Sequence, residues 1–265
     1  MADSDSVYSP QIERHLEGVL TDADDVGLPL VREVLQESHD GWYGQLVVSV
    51  YDSLSDRRDP ETASPVAAAI ELLRGYVRLR SRLLVTITDK HGHSLTLDPA
   101  SALLAGDYLY TTAFSSLRSV PDTALNSCFE RMTTVLETIT EAFARTYTSA
   151  GSTAYDQSRF IDETAGSLGG GAAVLGATIA GLDEPDRRHF ERLGRGLSTA
   201  REINRVLDTD PDAAMVVPPT RDEPELRMHA ERRRDDAEQA LDALSETADL
   251  SRLRAFAEAT APRRD

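Results

Sequence analysis

Apolar residues return at intervals of three and four along almost the whole chain, as in Leu16, Val19 and Leu20 and again in Leu72, Leu73, Tyr76, Leu79 and Leu83. That spacing lines up side chains on one stripe of an α-helix and is at odds with the two-residue alternation of a half-buried strand. Val47, Val48, Val50 and Tyr51 form a β-branched run, but no hairpin partner with its turn accompanies them, so they read as a core helix. Breaks fall at Pro60 to Pro65, at His91-Gly92-His93 through Asp98-Pro99, at Pro121-Asp122, at Asp183-Glu184-Pro185 and at Pro218-Pro219 with Pro224. Ser64-Pro65 and Asp98-Pro99 each place proline where a helix would begin. The pattern predicts an all-α chain of about eight to ten or more helices. There is no repeat and no clear boundary, so one domain over residues 1–265 is expected; Asp208 to Glu225 is the one stretch with linker character.

Charge narrows the range of partners. The formal net charge is -17, from 45 acidic and 28 basic residues, and Lys90 is the single lysine among the latter. An acidic, lysine-poor surface suits a cytoplasm of very high salt, where self-repulsion is screened, and so predicts a halophile. The same charge argues against nucleic acid or an anionic membrane, both of which reward a basic field. One cysteine, Cys128, excludes an intrachain disulfide or a cysteine metal cluster and fits a cytoplasmic address. The start, Met-Ala-Asp-Ser-Asp-Ser, has no basic, apolar signal segment. Thr164 to Leu182 is uncharged and long enough to cross a bilayer, but it is built of glycine, alanine, serine and threonine and reads as a tightly packed buried helix rather than a membrane span.

Three stretches stand out in order: Leu103-Leu104-Ala105-Gly106-Asp107-Tyr108-Leu109 with Ala113-Phe114, Glu163-Thr164-Ala165-Gly166-Ser167-Leu168 continuing to Ala180-Gly181, and Leu193-Gly194 to Leu207. Taken together they resemble the polyprenyl synthetase (trans-isoprenyl diphosphate synthase) family. Ala67 to Leu84 is similar to the family's first aspartate helix, and Ala230 to Arg263 to its closing helix pair. The resemblance covers most of the chain. It implies a bundle of long helices around a central cavity, with prenyl chains inside and diphosphates at the mouth, and it implies dimers.

The resemblance also shows what the chain lacks. The family binds magnesium and diphosphate with two aspartate-rich motifs, because hard cations and a departing dianion call for carboxylates. Here the leading pair of the first motif falls at Ser81 and Arg82, after Arg80, and that of the second at Arg205 and Val206; Asp208 and Asp210 are nearby but out of register. Ser38-His39-Asp40-Gly41-Trp42-Tyr43-Gly44 stands in place of a basic glycine-rich stretch, Glu163 in place of a lysine, and Ser149 to Ala154 in place of a glutamine-rich segment.

Arg78 and Arg82 share a helix face at the four-residue spacing, as do Arg201 and Arg205, so guanidinium groups could hold an anion at the mouth without metal. The alternative is that they lie on solvated faces or pair with nearby acids. Tyr76, five residues before the lost first motif, is a candidate for the cavity floor, with an ordinary core tyrosine as the alternative. Asp89-Lys90-His91-Gly92-His93 lacks a fourth metal ligand, and Gly169-Gly170-Gly171 lacks the Gly-Lys-Ser/Thr of a phosphate loop. Asp24-Asp25 and Asp235-Asp236 read as solvated surface, and Cys128 and His189 have no activating partner at a telling spacing. No catalytic, cofactor or metal residue is assigned.

The resulting expectation is a catalytically inactive, polyprenyl synthetase-like subunit, forming a homodimer or a heterodimer with an intact prenyl diphosphate synthase that it regulates. Two rivals remain open: an active prenyltransferase that uses magnesium at a displaced site including Asp208 and Asp210, and a metal-independent module that binds prenyl diphosphate on its arginines.

Overall fold

The computed structural model describes residues 9–36, 40–55, 59–88, 98–148, 156–208, 213–245 and 250–260, and within them the chain is helical with no strand. The helices are α1 (Ser9–Asp25), α2 (Pro29–Gln36), α3 (Trp42–Leu54), α4 (Pro60–Thr88), α5 (Pro99–Ser116), α6 (Asp122–Tyr147), α7 (Gln157–Ile161), α8 (Ser167–Ile179), α9 (Glu184–Leu207), α10 (Glu223–Ser245) and α11 (Ser251–Thr260). A π-helical turn, Asp162–Gly166, joins α7 to α8. The β-branched run at Val47 to Tyr51 lies inside α3, where Val47, Val50 and Tyr51 are buried.

Local chemistry explains the ends of these helices. Asp98 caps α5 by accepting from the Ser101 backbone N–H at 2.8 Å, with Pro99 at the first position where no N–H is needed. Asp156 caps α7 in the same way through the Arg159 N–H at 2.8 Å. The expected start at Pro65 is different: α4 begins at Pro60 and runs through Pro65. The missing N–H of Pro65 falls just beyond the first turn, so continuation forfeits one early backbone bond, and the buried Ala67 to Leu73 stretch outweighs that loss.

α8 lies at the centre, packed against α9, α3, α6 and α4, and every residue from Ser167 to Thr178 is buried. Glycine makes this possible. A Cβ on Gly169 would stand 2.2 Å from the Ser198 Cβ and 2.4 Å from the Gly194 carbonyl oxygen, so α8 and α9 meet backbone to backbone. The triple glycine is therefore a packing seam. Among the described residues no helix is long and apolar enough to cross a membrane. One contiguous core extends from Ile12 in α1 to Leu253 in α11.

Candidate functional site

Ser81 and Arg82 lie on α4, and Arg205 and Val206 on α9. A short irregular segment, residues 213–217, bridges the two helices. From α9, Glu202 Oε1 accepts from the N–H groups of Met215 at 2.7 Å and Val216 at 2.8 Å. Arg205 donates to the Ala213 carbonyl at 3.2 Å. From α4, Arg78 donates to the Ala214 carbonyl at 3.4 Å, and Ser81 Oγ accepts from the Val217 N–H at 3.0 Å. Tyr147, at the end of α6, donates its hydroxyl hydrogen to the Val217 carbonyl at 2.9 Å. Arg78, Ser81, Glu202, Met215 and Val216 are all buried.

Burial sets the electrostatics. It pushes the Glu202 carboxyl pKa up, opposed by the Val216 and Met215 N–H groups and by Arg205 and Arg201. It pushes the Tyr147 phenol up to about 12, so the hydroxyl remains a donor at neutral pH.

Beside this segment, Asp40 gathers two of the candidate arginines. Arg205 meets its Oδ2 at 2.9 Å, and Arg201 bonds to the same oxygen while lying 5.3 Å from the centre of the Trp42 ring. Burial, together with the neighbouring Arg205, lowers Arg201 to about 10, which leaves it cationic at neutral pH. Gly41, with φ 61°, turns the chain between Asp40 and α3 in a conformation that glycine adopts without strain.

The structure thus brings Arg78 and Arg205 to one segment and Arg201 and Arg205 to one carboxylate. Arg82 is half-buried one turn along α4 from Arg78. Tyr76 lies about half a turn around α4 from Arg78, towards α5. There its ring is 6.0 Å from that of Tyr110, and its hydroxyl accepts from Arg80 at 3.3 Å. Asp208 is exposed, and its carbonyl accepts from Arg221 at 3.4 Å. Asp210, the Asp89 to His93 loop and Ser149 to Ala154 lie outside the described residues.

Magnesium does not fit this arrangement. Apart from Glu202, the side chains facing the bridging segment present guanidinium and hydroxyl groups. The carboxylates at hand, Glu202 and Asp40, already accept from two backbone N–H groups and from two arginines respectively. Among the described residues no three His, Cys, Asp or Glu side chains converge as a metal cluster requires.

Cys128 is buried, and burial pushes its thiol up to about 12. His189 is exposed. Glu163 pairs with Arg145 and with Arg159, the latter at 2.9 Å. Asp236 pairs with Arg192 at 2.8 Å and Asp24 with Arg32 at 2.9 Å.

Sequence reasoning did not single out Glu202, Tyr147 or Met215 to Val217. Two signals were present. Glu202 is an acid on the apolar stripe of α9 between Thr199, Ile203 and Val206, and Met215-Val216-Val217 is an apolar run within an otherwise polar, proline-containing connection.

No family model matches the chain, and no curated protein matches it in sequence. Its structure is similar to several that have been solved. The small subunit of geranyl diphosphate synthase from Antirrhinum majus is 17% identical, with a TM-score of 0.72 over 98% of this chain and 99% of that one. The geranylgeranyl pyrophosphate synthetase of the archaeon Geoglobus acetivorans is 19% identical, with a TM-score of 0.69 over 98% of this chain and all of that one. A deletion mutant of the heterotetrameric geranyl pyrophosphate synthase from mint is 15% identical, with a TM-score of 0.69 over 96% and 98% of the two chains. At these identities the likeness is one of fold.

Proposed function

Starting from the fold that this chain shares with the prenyl diphosphate synthases, we propose that it is a non-catalytic member of that group. It pairs with an intact synthase of isoprenoid biosynthesis and changes its rate or product length. The observation that carries this reading is what α4 and α9 present to residues 213–217. Ser81 and Arg78 bond to the backbone there, and the one carboxylate beside them, Glu202, accepts from two backbone N–H groups.

Two further observations support pairing. α5 exposes Leu103, Leu104 and Tyr110 and α6 exposes Phe129, large apolar side chains that a partner could cover. Tyr110, Phe114 and Phe129 follow one another with ring centres 5.1 and 5.0 Å apart, an aromatic strip suited to a flat helical partner. Two of the similar proteins are themselves a small subunit and part of a heterotetramer. The rival reading, in which the arginines hold a free diphosphate, is less favoured because Arg78 and Arg205 already donate to Ala214 and Ala213.

The test is to supply the purified chain, with magnesium, with isopentenyl diphosphate and allylic diphosphates, alone and then together with an intact synthase from the same cell. The expected result is no product alone and an altered rate or chain length in the mixture. Product from the chain alone would overturn the reading. Leu104→Arg or Tyr110→Arg is expected to abolish the effect in the mixture while leaving the chain folded.

A further inference from the structure

Three helices turn one face each toward a common space. From α9 come Leu197, Ala200 and Asn204, from α10 Glu238 and Leu241, and from α11 Ala257 and Glu258. Along α9 and α10 those positions recur at three and four residues, so the space is bounded by helix faces. It is a cavity of about 340 Å³, within the range of about 300–1,000 Å³ typical of small-molecule sites. The close packing of α9 on α10 lies beside it. A Cβ on Gly196 would stand 2.4 Å from the Arg233 carbonyl oxygen, so there the two backbones touch. One residue on, at Leu197, α9 faces the cavity and α11 becomes the third wall.

The lining has an apolar floor and a charged rim. Leu197, Ala200, Leu241 and Ala257 supply the floor, and of these Ala200 and Leu241 are buried. Arginines and acids both reach the rim, so its sign depends on which of them are already bonded. Arg201 is held by Asp40. Arg254 meets Asp242 at 2.9 Å, and Arg234 is engaged as well. Among the described residues the side chains of Glu238, Glu258 and Asn204 have no hydrogen-bond or ion-pair partner. The uncommitted groups are therefore two carboxylates, on two different helices, and one amide.

Two carboxylates over an apolar floor are complementary to a ligand with two cationic ends and a hydrocarbon body. A chain of net charge -17 concentrates such cations near its surface. A hard metal ion is a poor match, because it calls for six or so oxygen ligands and would leave the apolar floor uncovered.

We propose that this cavity is a binding site for an aliphatic diamine or polyamine. One ammonium group pairs with Glu238 on α10 and another with Glu258 on α11. The methylene chain lies on the apolar floor, and the Asn204 amide oxygen accepts from an ammonium N–H. Such a ligand ties α11 to α10. α11 also carries Phe256, whose ring centre is 5.5 Å from that of Trp42, and Arg201 on the cavity wall lies 5.3 Å from the centre of the same ring. Occupancy therefore bears on Trp42, the single tryptophan of the chain. The site shares no residue with the surface proposed for pairing, and it holds whether or not the chain has a partner.

The experiment titrates the full chain, at about 0.15 M salt, with putrescine and spermidine, and with n-butylamine as a probe that has the hydrocarbon but a single ammonium group. Binding is followed by calorimetry and by the emission of Trp42. An exposed ion pair is worth up to about fivefold in affinity, so Glu238→Gln and Glu258→Gln are each expected to weaken putrescine about two- to fivefold, and butylamine is expected to bind more weakly than putrescine by a similar factor. Ala257→Leu fills the floor without changing charge and is expected to weaken all three amines by about tenfold or more. Glu231→Gln removes an exposed carboxylate of α10 that does not line the cavity. It is expected to leave binding within about twofold. Unsaturable uptake that Glu231→Gln lowers as much as Glu238→Gln, and that Ala257→Leu leaves untouched, is counterion binding to an acidic surface and would overturn the proposal, as would no binding at all. Should Ala257→Leu shift the Trp42 emission of the free chain, and so have moved α11, the carboxylate variants and the butylamine comparison decide on their own.

Discussion

Glu202 offers the sharpest quantitative check on the structure. In Glu202→Ala the N–H groups of Met215 and Val216, which Glu202 Oε1 accepts at 2.7 and 2.8 Å, remain buried without an acceptor. Each orphaned buried donor costs about 1–3 kcal/mol, so the pair costs about 2–6 kcal/mol. For a chain of this size each kcal/mol lowers Tm by about 2–4 °C, which places the middle of the range near a 12 °C fall. Glu202→Gln behaves differently because its amide oxygen still accepts. Burial raises the Glu202 pKa above its ordinary value despite the opposing N–H groups and arginines, so folding favours the neutral carboxyl. That preference stabilises the folded wild type fully below the unfolded pKa of about 4.3 and is lost as pH rises through the higher folded value. Glutamine is neutral throughout. The Gln variant is therefore expected to match or exceed the wild type in Tm at pH 7, with the difference in its favour closing below about pH 4. Thermal unfolding of the three proteins from pH 4 to 8, followed by circular dichroism, reads both effects. A Gln variant as unstable as the Ala variant at pH 7 would refute the reasoning, because it would mean that the charge and not the acceptor holds the segment.

Other expectations follow from the packing and the charge network. Gly169→Ala places a Cβ 2.2 Å from that of Ser198 and is expected to cost about 1–3 kcal/mol or more in urea unfolding. Gly18→Ala, on an exposed part of α1 with nothing within 4 Å, is expected to stabilise by about 0.5–1 kcal/mol in the same assay. Burial would raise the Asp162 pKa, but hydrogen bonds from His229 and Arg233 outweigh it and hold the carboxyl below its usual range. Its contribution is thus present above the unfolded pKa of about 3.9 and lost as pH falls through the lower folded value. Asp162→Asn is accordingly expected to lose about 3 kcal/mol at pH 7 and progressively less in acid. Cys128, buried and with its thiol pushed up to about 12, is expected to resist a thiol reagent at pH 8 until denaturant is added, whereas rapid native labelling would contradict its placement.

The helices were legible because their signal is local and periodic. Val47 to Tyr51 shows how far that reaches: its β-branched composition favours a strand, yet the absence of a hairpin partner pointed to the helix that the structure contains. Pro65 shows the limit, since whether a proline starts a helix or sits inside one depends on what the following turns bury. The glycines of α8 could be assigned to close packing, though not to their partners on α9, because a seam between helices has no signature along either one. The arginine pairs were visible by spacing, but their acceptors were not. Asp40 lies 161 residues from Arg201, and the carbonyls of Ala213 and Ala214 belong to a connection whose composition suggested solvent. A backbone group carries no sequence code, so an arginine whose acceptor is a carbonyl is hidden from any reading of residue types.

The π-helical turn at Asp162–Gly166 has a consequence for how this chain tolerates change. It sets the rotation of α7 relative to α8, and so keeps Phe160 and Ile161 in the core while Asp162 faces His229 and Arg233 on α10. Removing one residue there would let the two helices fuse into a regular α-helix, but it would swing everything before the deletion through about 100°. Phe160 and Ile161 would turn out of the interior, and the acid would leave His229 and Arg233 behind. Length within this turn therefore acts as an angular setting, and a deletion that a surface loop would absorb becomes here a change in which side of a helix the molecule is built upon.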